Sequence, residues 1–508
     1  MKASRFVLAG FVLATARLLS VSASAETILA PPFTDHAVLQ RDTAVPVWGW
    51  DSPAGATVTI TYGGQTKETR VNQSGLWRAD FDPMPARAEG MDLVVKGSST
   101  LTLHDVVVGE VWLASGQSNM EWTLDHSRGY DVEKARPANP LIRHLRIEHS
   151  PADLPVTKVQ TSGWMSAAPE NIGYFTGVGY FFARSLAEKI KVPVGIIHTS
   201  WGGTPVESWL PEPVLRTTQA WPGFAVRWQA ALKVFPQKLA DQPGLEAAWH
   251  QAQEELRSTG KPITMQWPRP PMAPGSAYGP GFLFNGMIAP LAPYALRGAL
   301  WYQGESNVGH PREYRELFTA MIKAWRATWL QGDFPFLFVQ LPNYDDHNPT
   351  GRGWAELREA QEAALALPAA GMAVTIDVGE ATNLHPTDKR PVGERLALIA
   401  AAQIHDQRLE WSGPVVQSVA PEGAALRVRF SHAAGLTARA DPISGFEIAG
   451  ADWVFRAASA LIDGETVLVS APEVPAPLAV RYAFINAPAA SLFNSAGLPA
   501  GPFRTDDW

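Results

Sequence analysis

The sequence predicts an α/β protein with a parallel sheet, flanked at both ends by β domains. Three changes of texture carry that expectation. Residues 26–103 show only strand signals, residues 104–406 alternate apolar strands with helices, and residues 407–508 return to strand signals. Strands alternating with helices of ten or more residues mark parallel strands joined by helical crossovers that cover both sheet faces. A chain of 508 residues also exceeds what one core ordinarily supports, so several domains are expected.

Taken in order, the chain opens with Lys2 and Arg5, an apolar run from Phe6 to Ala14, and Ala23-Ser24-Ala25. That is the pattern of a secretory signal cleaved near Ala25, and it predicts a secreted or periplasmic protein. Arg17 interrupts a stretch already too short to span a bilayer, which argues against a membrane anchor. In residues 26–103, Thr57 to Tyr62 alternates, Gly63-Gly64 turns, and Thr66 to Val71 returns, a hairpin pattern. Leu76 to Phe81 and Met91 to Val95 add short strands, so this segment reads as a small β-sandwich-like domain.

The middle region, residues 104–406, begins with an apolar strand from Val106 to Leu113. Val178, Phe181, Phe182, Leu186 and Ile190 share one helical face and lead into a strand from Val192 to Thr199. Further strands are expected at Ala299 to Tyr302, Phe334 to Leu341 and Met372 to Val378. Helices are expected at Glu313 to Trp329, Trp354 to Leu367 and Gly393 to Ile404. Between about 211 and 275 the alternation stops. There the Pro-rich piece Trp267-Pro268-Arg269-Pro270-Pro271 follows a helical segment around Leu245 to Arg257, which reads as an insertion. Its Trp221, Trp228, Trp249 and Trp267 suit either packing onto the body or contact with a long substrate. In residues 407–508, Ala425 to Phe430 alternates and Asp463-Gly464 joins two strands, giving a C-terminal β domain.

Composition narrows the function. Apolar residues at 46% and charged residues at 18% are ordinary for a globular chain. The absence of cysteine excludes disulfides, thiol nucleophiles and zinc-thiolate sites. Removing Lys2, Arg5 and Arg17 with the signal takes the formal charge from −7 to −10, and no basic cluster stands out. Nucleic acid and anionic membrane are therefore poor partners. No HExxH or clustered His/carboxylate motif points to a metal.

Four polar segments follow strands, where open parallel sheets place their sites. They are Gly116-Gln117-Ser118-Asn119-Met120, Thr199 to Thr204, Trp301 to Asn307, and Asp377 to Glu380 with Asn383 to Lys389. Acyl transfer needs a serine, an imidazole to deprotonate it, and donors facing the oxyanion. Ser118 and His385 supply the first two. Gly203 (or Gly202) offers an unobstructed backbone N–H, and Gln303 and Asn307 carry carboxamide donors, each of that kind contributing about 3 kcal/mol. Residue type alone leaves plainer roles open: a turn for Gly202-Gly203, helix capping for Gln303 and Asn307, a structural place for His385.

The motifs GQSNM after an apolar strand, WGGT, WYQGES, and HPxxK followed by VGERLA together resemble the sialate O-acetylesterase-like family, a branch of the SGNH hydrolases. The likeness extends through FNGMIAPL from Phe284, WAELREAQ from Trp354 and GLPAGPFRTDDW from Gly497, missing only the insertion. It implies a three-layer α/β/α hydrolase domain flanked by β domains, needing no cofactor, that removes acetyl groups from sugar hydroxyls. It makes Ser118 the nucleophile, His385 the base and later acid, and the N–H groups of Ser118 and Gly203, with Gln303 or Asn307, the oxyanion hole. The residue orienting His385 is less direct. Many relatives carry Asp three or two positions before the histidine, where this chain has Thr382 and Asn383. Asp377 is the favoured third member, with Glu380 and Asp388 near in sequence and a Ser-His dyad as the alternative.

The expected substrate is an acetylated oligosaccharide, with xylan or xyloglucan fragments favoured by the Trp-rich insertion and the β domains. Acetylated sialic acid is the alternative, for which Arg297, Arg358 or Lys389 would clamp the acid. A non-catalytic carbohydrate-binding protein is the alternative of another class, and the joint presence of Ser118, His385, Gly202-Gly203 and Gln303/Asn307 speaks against it.

Overall fold

A computed structural model describes residues 26–259, 268, 271–348, 350–440 and 442–507. The expected signal (1–25) and Trp267 lie outside the described residues. One long strand, β1 (Thr100–Gly116), organises what is described. Its first six residues alternate between exposed and half-buried, whereas every residue from Val106 to Gly116 is buried. The sequence explains both halves: Thr-Leu-Thr-Leu alternates, so one face meets water, and the Val-rich run that follows suits a strand covered on both sides. The outer half pairs antiparallel with Arg87–Lys96 of the N-terminal region, so β1 runs unbroken through position 103/104. The inner half is the centre of the main sheet.

The other strands of that sheet are β2 (Asn139–Ile147), β3 (Thr161–Ala167), β4 (Val194–His198), β5 (Gly298–Tyr302), β6 (Phe336–Val339) and β7 (Ala370–Ala373). Their order is β3-β2-β4-β1-β5-β6-β7. All neighbours are parallel except β3, which lies antiparallel on the edge, so the sheet is mixed where the sequence predicts a parallel one. The pair β2/β3 leaves little trace in sequence because Arg143 and His144, both buried, interrupt the apolar run of β2. The chain runs from β1 to one side and, after β4, crosses to the other side at β5. The carboxyl end of β1 is thus the crevice where such sheets bind ligands.

Helices α1 (Gly177–Ile190) and α4 (Arg390–Gln403) pack on each other, and Phe182 of α1 meets Trp112 of β1 edge-on at 5.0 Å. Helix α2 (Trp221–Thr259) belongs to the insertion. Helix α3 (Pro311–Trp329) brings Phe318 and Trp325 onto Trp301 of β5. Trp301 stands in register with Ser115, three residues beyond Trp112, so the two tryptophans point to opposite faces of the sheet.

Two details differ from the sequence expectation. The strand expected at Met372 to Val378 ends at Ala373, because Thr375 turns to donate to the Gln340 carbonyl (2.5 Å) and Asp377 is drawn to Arg395. The insertion helix is 39 residues long and contains Pro236 and Pro243. Each proline removes one backbone hydrogen bond, yet the turns on either side continue the helix. Its first turns are anchored by Phe224, buried beside Trp221 and Trp228, and by Arg227 paired with Glu313. One hydrophobic core joins the N-terminal strands (Val47, Ile60, Trp77) to the main sheet. A second is formed by C-terminal strands (Val428, Ile448, Val469, Tyr482) with Ile376. No helix among the described residues is long and apolar enough to cross a membrane.

Candidate active site

The site starts where β1 ends. Gly116 has φ +132°, and a Cβ there would lie 2.2 Å from the Tyr302 carbonyl oxygen of the neighbouring β5. Only glycine lets the two strand ends stay side by side while the chain turns. Gln117 N–H donates to Tyr302 O (2.9 Å), and its side-chain oxygen accepts the N–H groups of Gly304 and Ser306 (3.3 Å each). One helical turn, Ser118–Glu121, follows and presents Ser118 at its start.

His385 Nε2 lies 2.8 Å from Ser118 Oγ. Asn383 shapes the loop that carries it. Its Oδ1 accepts the His385 backbone N–H (3.0 Å), and its Nδ2 donates to Glu380 (3.0 Å), which also accepts the Thr387 N–H (3.2 Å). The imidazole stacks on Trp122 at 5.4 Å. Burial first, then the positive charge of Lys389, lowers its pKa to about 4. The ring is therefore neutral at ordinary pH, and carrying its proton on Nδ1 it can accept the serine proton at Nε2.

Asp377 does not join this pair as the sequence suggests. Both its oxygens are taken by Arg395 (2.6 Å each), which also donates to Val374 O (2.7 Å). A two-pronged guanidinium contact of this kind satisfies the carboxylate and ties α4 to the segment after β7. Glu380 is spent on the loop, and Asp388 faces Arg128 at 3.6 Å.

The expected oxyanion donors separate into two groups. Thr199 and Trp201 donate to Ala114 O and Gly116 O, pinning the β4 loop beside β1, and a Cβ on Gly202 would sit 3.3 Å from Ser118 Cβ. Gly203 follows at φ +76°. Among the described residues no acceptor is bonded to the N–H of Ser118 or Gly203, whereas Gly202 N–H donates to Glu121 (2.6 Å). Gln303 and Asn307 differ from expectation. Gln303 spends its amide on Thr204 O (3.2 Å) and Asn307 Oδ1 (2.8 Å), and Asn307 donates to Glu207 (2.9 Å). Both carboxamides are buried, and their amide hydrogens stitch the β5 loop to the β4 loop, while the Gln303 Oε1 is buried without a partner among the described residues.

The three expected clamp residues also face elsewhere. Arg297 pairs with Glu110 (3.0 Å), Arg358 donates to four main-chain carbonyls, and Lys389 is buried with 1% exposure. Two further basic side chains, Arg146 and His149, stand beside the site, 3.6 Å and 3.0 Å from Glu121, and nothing in the local sequence singles them out. Asn119, the residue after the serine, has a part in the site that its type alone does not announce. It is fully buried and donates to Glu305 (2.5 Å) and Leu384 O (3.1 Å). Its partners are remote in sequence, so no local spacing announces it. Next to Gly203 and Ser306 opens a cleft of about 600 Å³, whose far wall is α2 (Arg227, Asp241, Gln242, Leu245).

Comparison with known proteins agrees with this geometry at the level of family. The family model of carbohydrate esterases described as sialic acid-specific acetylesterase matches residues 108–258 and 258–402. The chain is 30% identical over 453 residues to the sialate O-acetylesterase of Mus musculus, covering 81% of this chain and 80% of that protein. The Homo sapiens sialate O-acetylesterase is 29% identical over 427 residues, covering 75% of this chain and 72% of that protein. The solved structure of a carbohydrate acetylesterase from Xanthomonas citri superposes with a TM-score of 0.81 at 35% identity, covering 95% of this chain and all of that one. A serine beside a neutral imidazole at the crevice of this sheet, and likeness over most of the chain, lead to one assignment: the chain is an esterase of the sialic acid-specific acetylesterase family of carbohydrate esterases.

Proposed function

We propose that this protein hydrolyses acetyl esters on the hydroxyls of neutral oligosaccharides, by a Ser118–His385 mechanism on a three-layer SGNH-type domain. The single observation that carries the mechanism is the 2.8 Å contact between His385 Nε2 and Ser118 Oγ. Ser118 Oγ attacks the acetyl carbonyl and gives its proton to His385. The oxyanion receives hydrogen bonds from the N–H groups of Ser118 and Gly203. The tetrahedral intermediate collapses, the C–O bond to the sugar breaks, and the sugar oxygen takes the proton from His385. A water then attacks the acetyl-enzyme, passing its proton to His385, and acetate leaves as Ser118 Oγ recovers that proton. Replacement of Ser118 by alanine should lower acetate release from p-nitrophenyl acetate by about 10⁴-fold or more. Turnover retained by that variant would end the assignment.

The neutral oligosaccharide, of the kind found in xylan or xyloglucan, rests on the cleft and on the commitment of Arg297 and Arg358 to partners elsewhere in the fold. The cleft begins at Gly203, one residue from the glycine against Ser118, and continues along the insertion, giving further sugars somewhere to lie. A second reading, acetylated sialic acid, is favoured by the name of the mouse relative and by Arg146 near the site. Acetate release measured side by side on acetylated xylo-oligosaccharides, xyloglucan oligosaccharides and sialic acid separates them, and a clear preference for sialic acid would overturn the first reading. We also read residues 1–25 as an export signal, which predicts a mature protein starting at Glu26 by intact mass.

A further inference from the structure

The nucleophile and its base stand on loops 267 residues apart, and no triad carboxylate of the expected kind reaches the base, since Asp377 is committed to Arg395. What holds the two loops in register is a buried polar chain behind them. Asn119, the residue after the nucleophile, donates from Nδ2 to the carbonyl of Leu384, the residue before the base. The same nitrogen donates to Glu305 (2.5 Å), and Lys389 Nζ donates to Asn119 Oδ1 (2.5 Å). Asn119 and Lys389 are 0% and 1% exposed.

We propose that Lys389 is a positioning residue for His385: through Asn119 it seats the base loop on the nucleophile turn. This rests on the esterase reading above. An ammonium only donates, so the oxygen of the Asn119 amide must face Lys389. The amide nitrogen is then turned toward its two acceptors, Glu305 and Leu384 O. Reversal of the amide would set its oxygen against a carboxylate and a carbonyl at once, and Lys389 opposes that reversal. The remaining surroundings hold the ammonium in place. The rings of Trp122 and Tyr302 lie 5.6 Å and 5.7 Å from Nζ, and Trp122 is the ring on which His385 stacks. A Cβ on Gly177 of α1 would sit 3.3 Å from the Lys389 stem, so the helix leaves just the room this side chain fills.

A second consequence is electrostatic. Burial lowers the Lys389 pKa to about 7, against the favourable charges of Glu305 and Glu380. Below neutral pH the lysine is charged, and its charge disfavours a proton on His385. The charged groups facing this pair are therefore Glu305 on the β5 loop, Glu380 on the base loop, and the two partners themselves.

The test uses Lys389→Met, which keeps length and removes donor and charge, with p-nitrophenyl acetate as substrate. The expected result is a fall in kcat of about tenfold at nearly constant KM. The acid limb of kcat/KM should move upward by roughly one pH unit, because a like charge has been removed. A purely structural role would reduce the amount of folded enzyme and leave the limb in place. Asn119→Asp is the second variant. Its new carboxylate still pairs with Lys389 but faces Leu384 O and the Glu305 carboxylate without a donor, so kcat should fall about tenfold. If Lys389→Met does not fold, Asn119→Asp decides. Folded variants with the wild-type kcat and acid limb overturn the inference. A wild-type protein that releases no acetate overturns instead the esterase reading on which it stands.

Discussion

Ser118 and His385 meet with a proton-accepting nitrogen toward a hydroxyl, and the pH range of that arrangement follows from burial. With the His385 pKa near 4, kcat/KM for a small ester should stay level from pH 7 to about 5 and be half lost near pH 4. A midpoint close to 6.5, the ordinary value for histidine, would show that the imidazole is not desolvated as described. Asp377 provides the companion test. Asp377→Asn should leave the acid limb where it is, because the carboxylate serves Arg395 and not the imidazole. It should destabilise the fold by roughly 3 kcal/mol by stranding a mostly buried guanidinium, visible as a lower Tm. An acid limb displaced by that variant would restore Asp377 to the catalytic group.

Elements decide what can approach. The insertion helix runs past its two prolines and forms one wall of the cleft, presenting Asp241 and Leu245, the latter 46% exposed. Exchange of both for alanine should raise KM for an acetylated oligosaccharide severalfold while kcat/KM for p-nitrophenyl acetate stays unchanged. Equal loss on both substrates would mean that α2 supports the fold and does not touch the sugar chain. The β4 and β5 loops act differently. Gln303, Asn307 and Glu207 bond one another in their interior, so these loops form a single wall beneath the cleft.

Across the whole molecule, several histidines are folded in the neutral state. His144 is lowered to about 3 by burial, His385 to about 4, and His198 also lies well below its ordinary value, mainly through burial. Unfolded, all three would bind protons near pH 6.5. Between that value and the folded ones the unfolded chain holds more protons, so stability is lost as the pH falls from about 6.5 toward 4. The urea midpoint should accordingly be lower at pH 4.5 than at pH 7. A midpoint that does not change would count against buried neutral histidines. The first core extends from the N-terminal strands into the main sheet and β1 belongs to both, so these regions should unfold in one transition.

Much of this was legible in the chain itself. The Val-rich run of β1, the amphipathic faces of α1 and α3, and Ser118, His385 and Gly203 behind strand ends can be read locally, because periodicity and turn chemistry involve near neighbours in sequence. So can the family, through motifs that stand in order. Other features depend on partners that spacing does not reveal. Asp377 has the residue type and expected strand-end position of a triad acid, but Arg395, 18 residues on, takes both its oxygens. Gln303 and Asn307 have the side chains of oxyanion donors, but Thr204 and Glu207 take their hydrogens. Lys389, by residue type a candidate clamp for an acidic sugar, is buried against Asn119, 270 residues away. Residue type determined which chemistry was available to this protein. Only the tertiary structure decided which polar atoms spend their hydrogen bonds on the fold, because a buried group must satisfy itself with whatever the fold brings near.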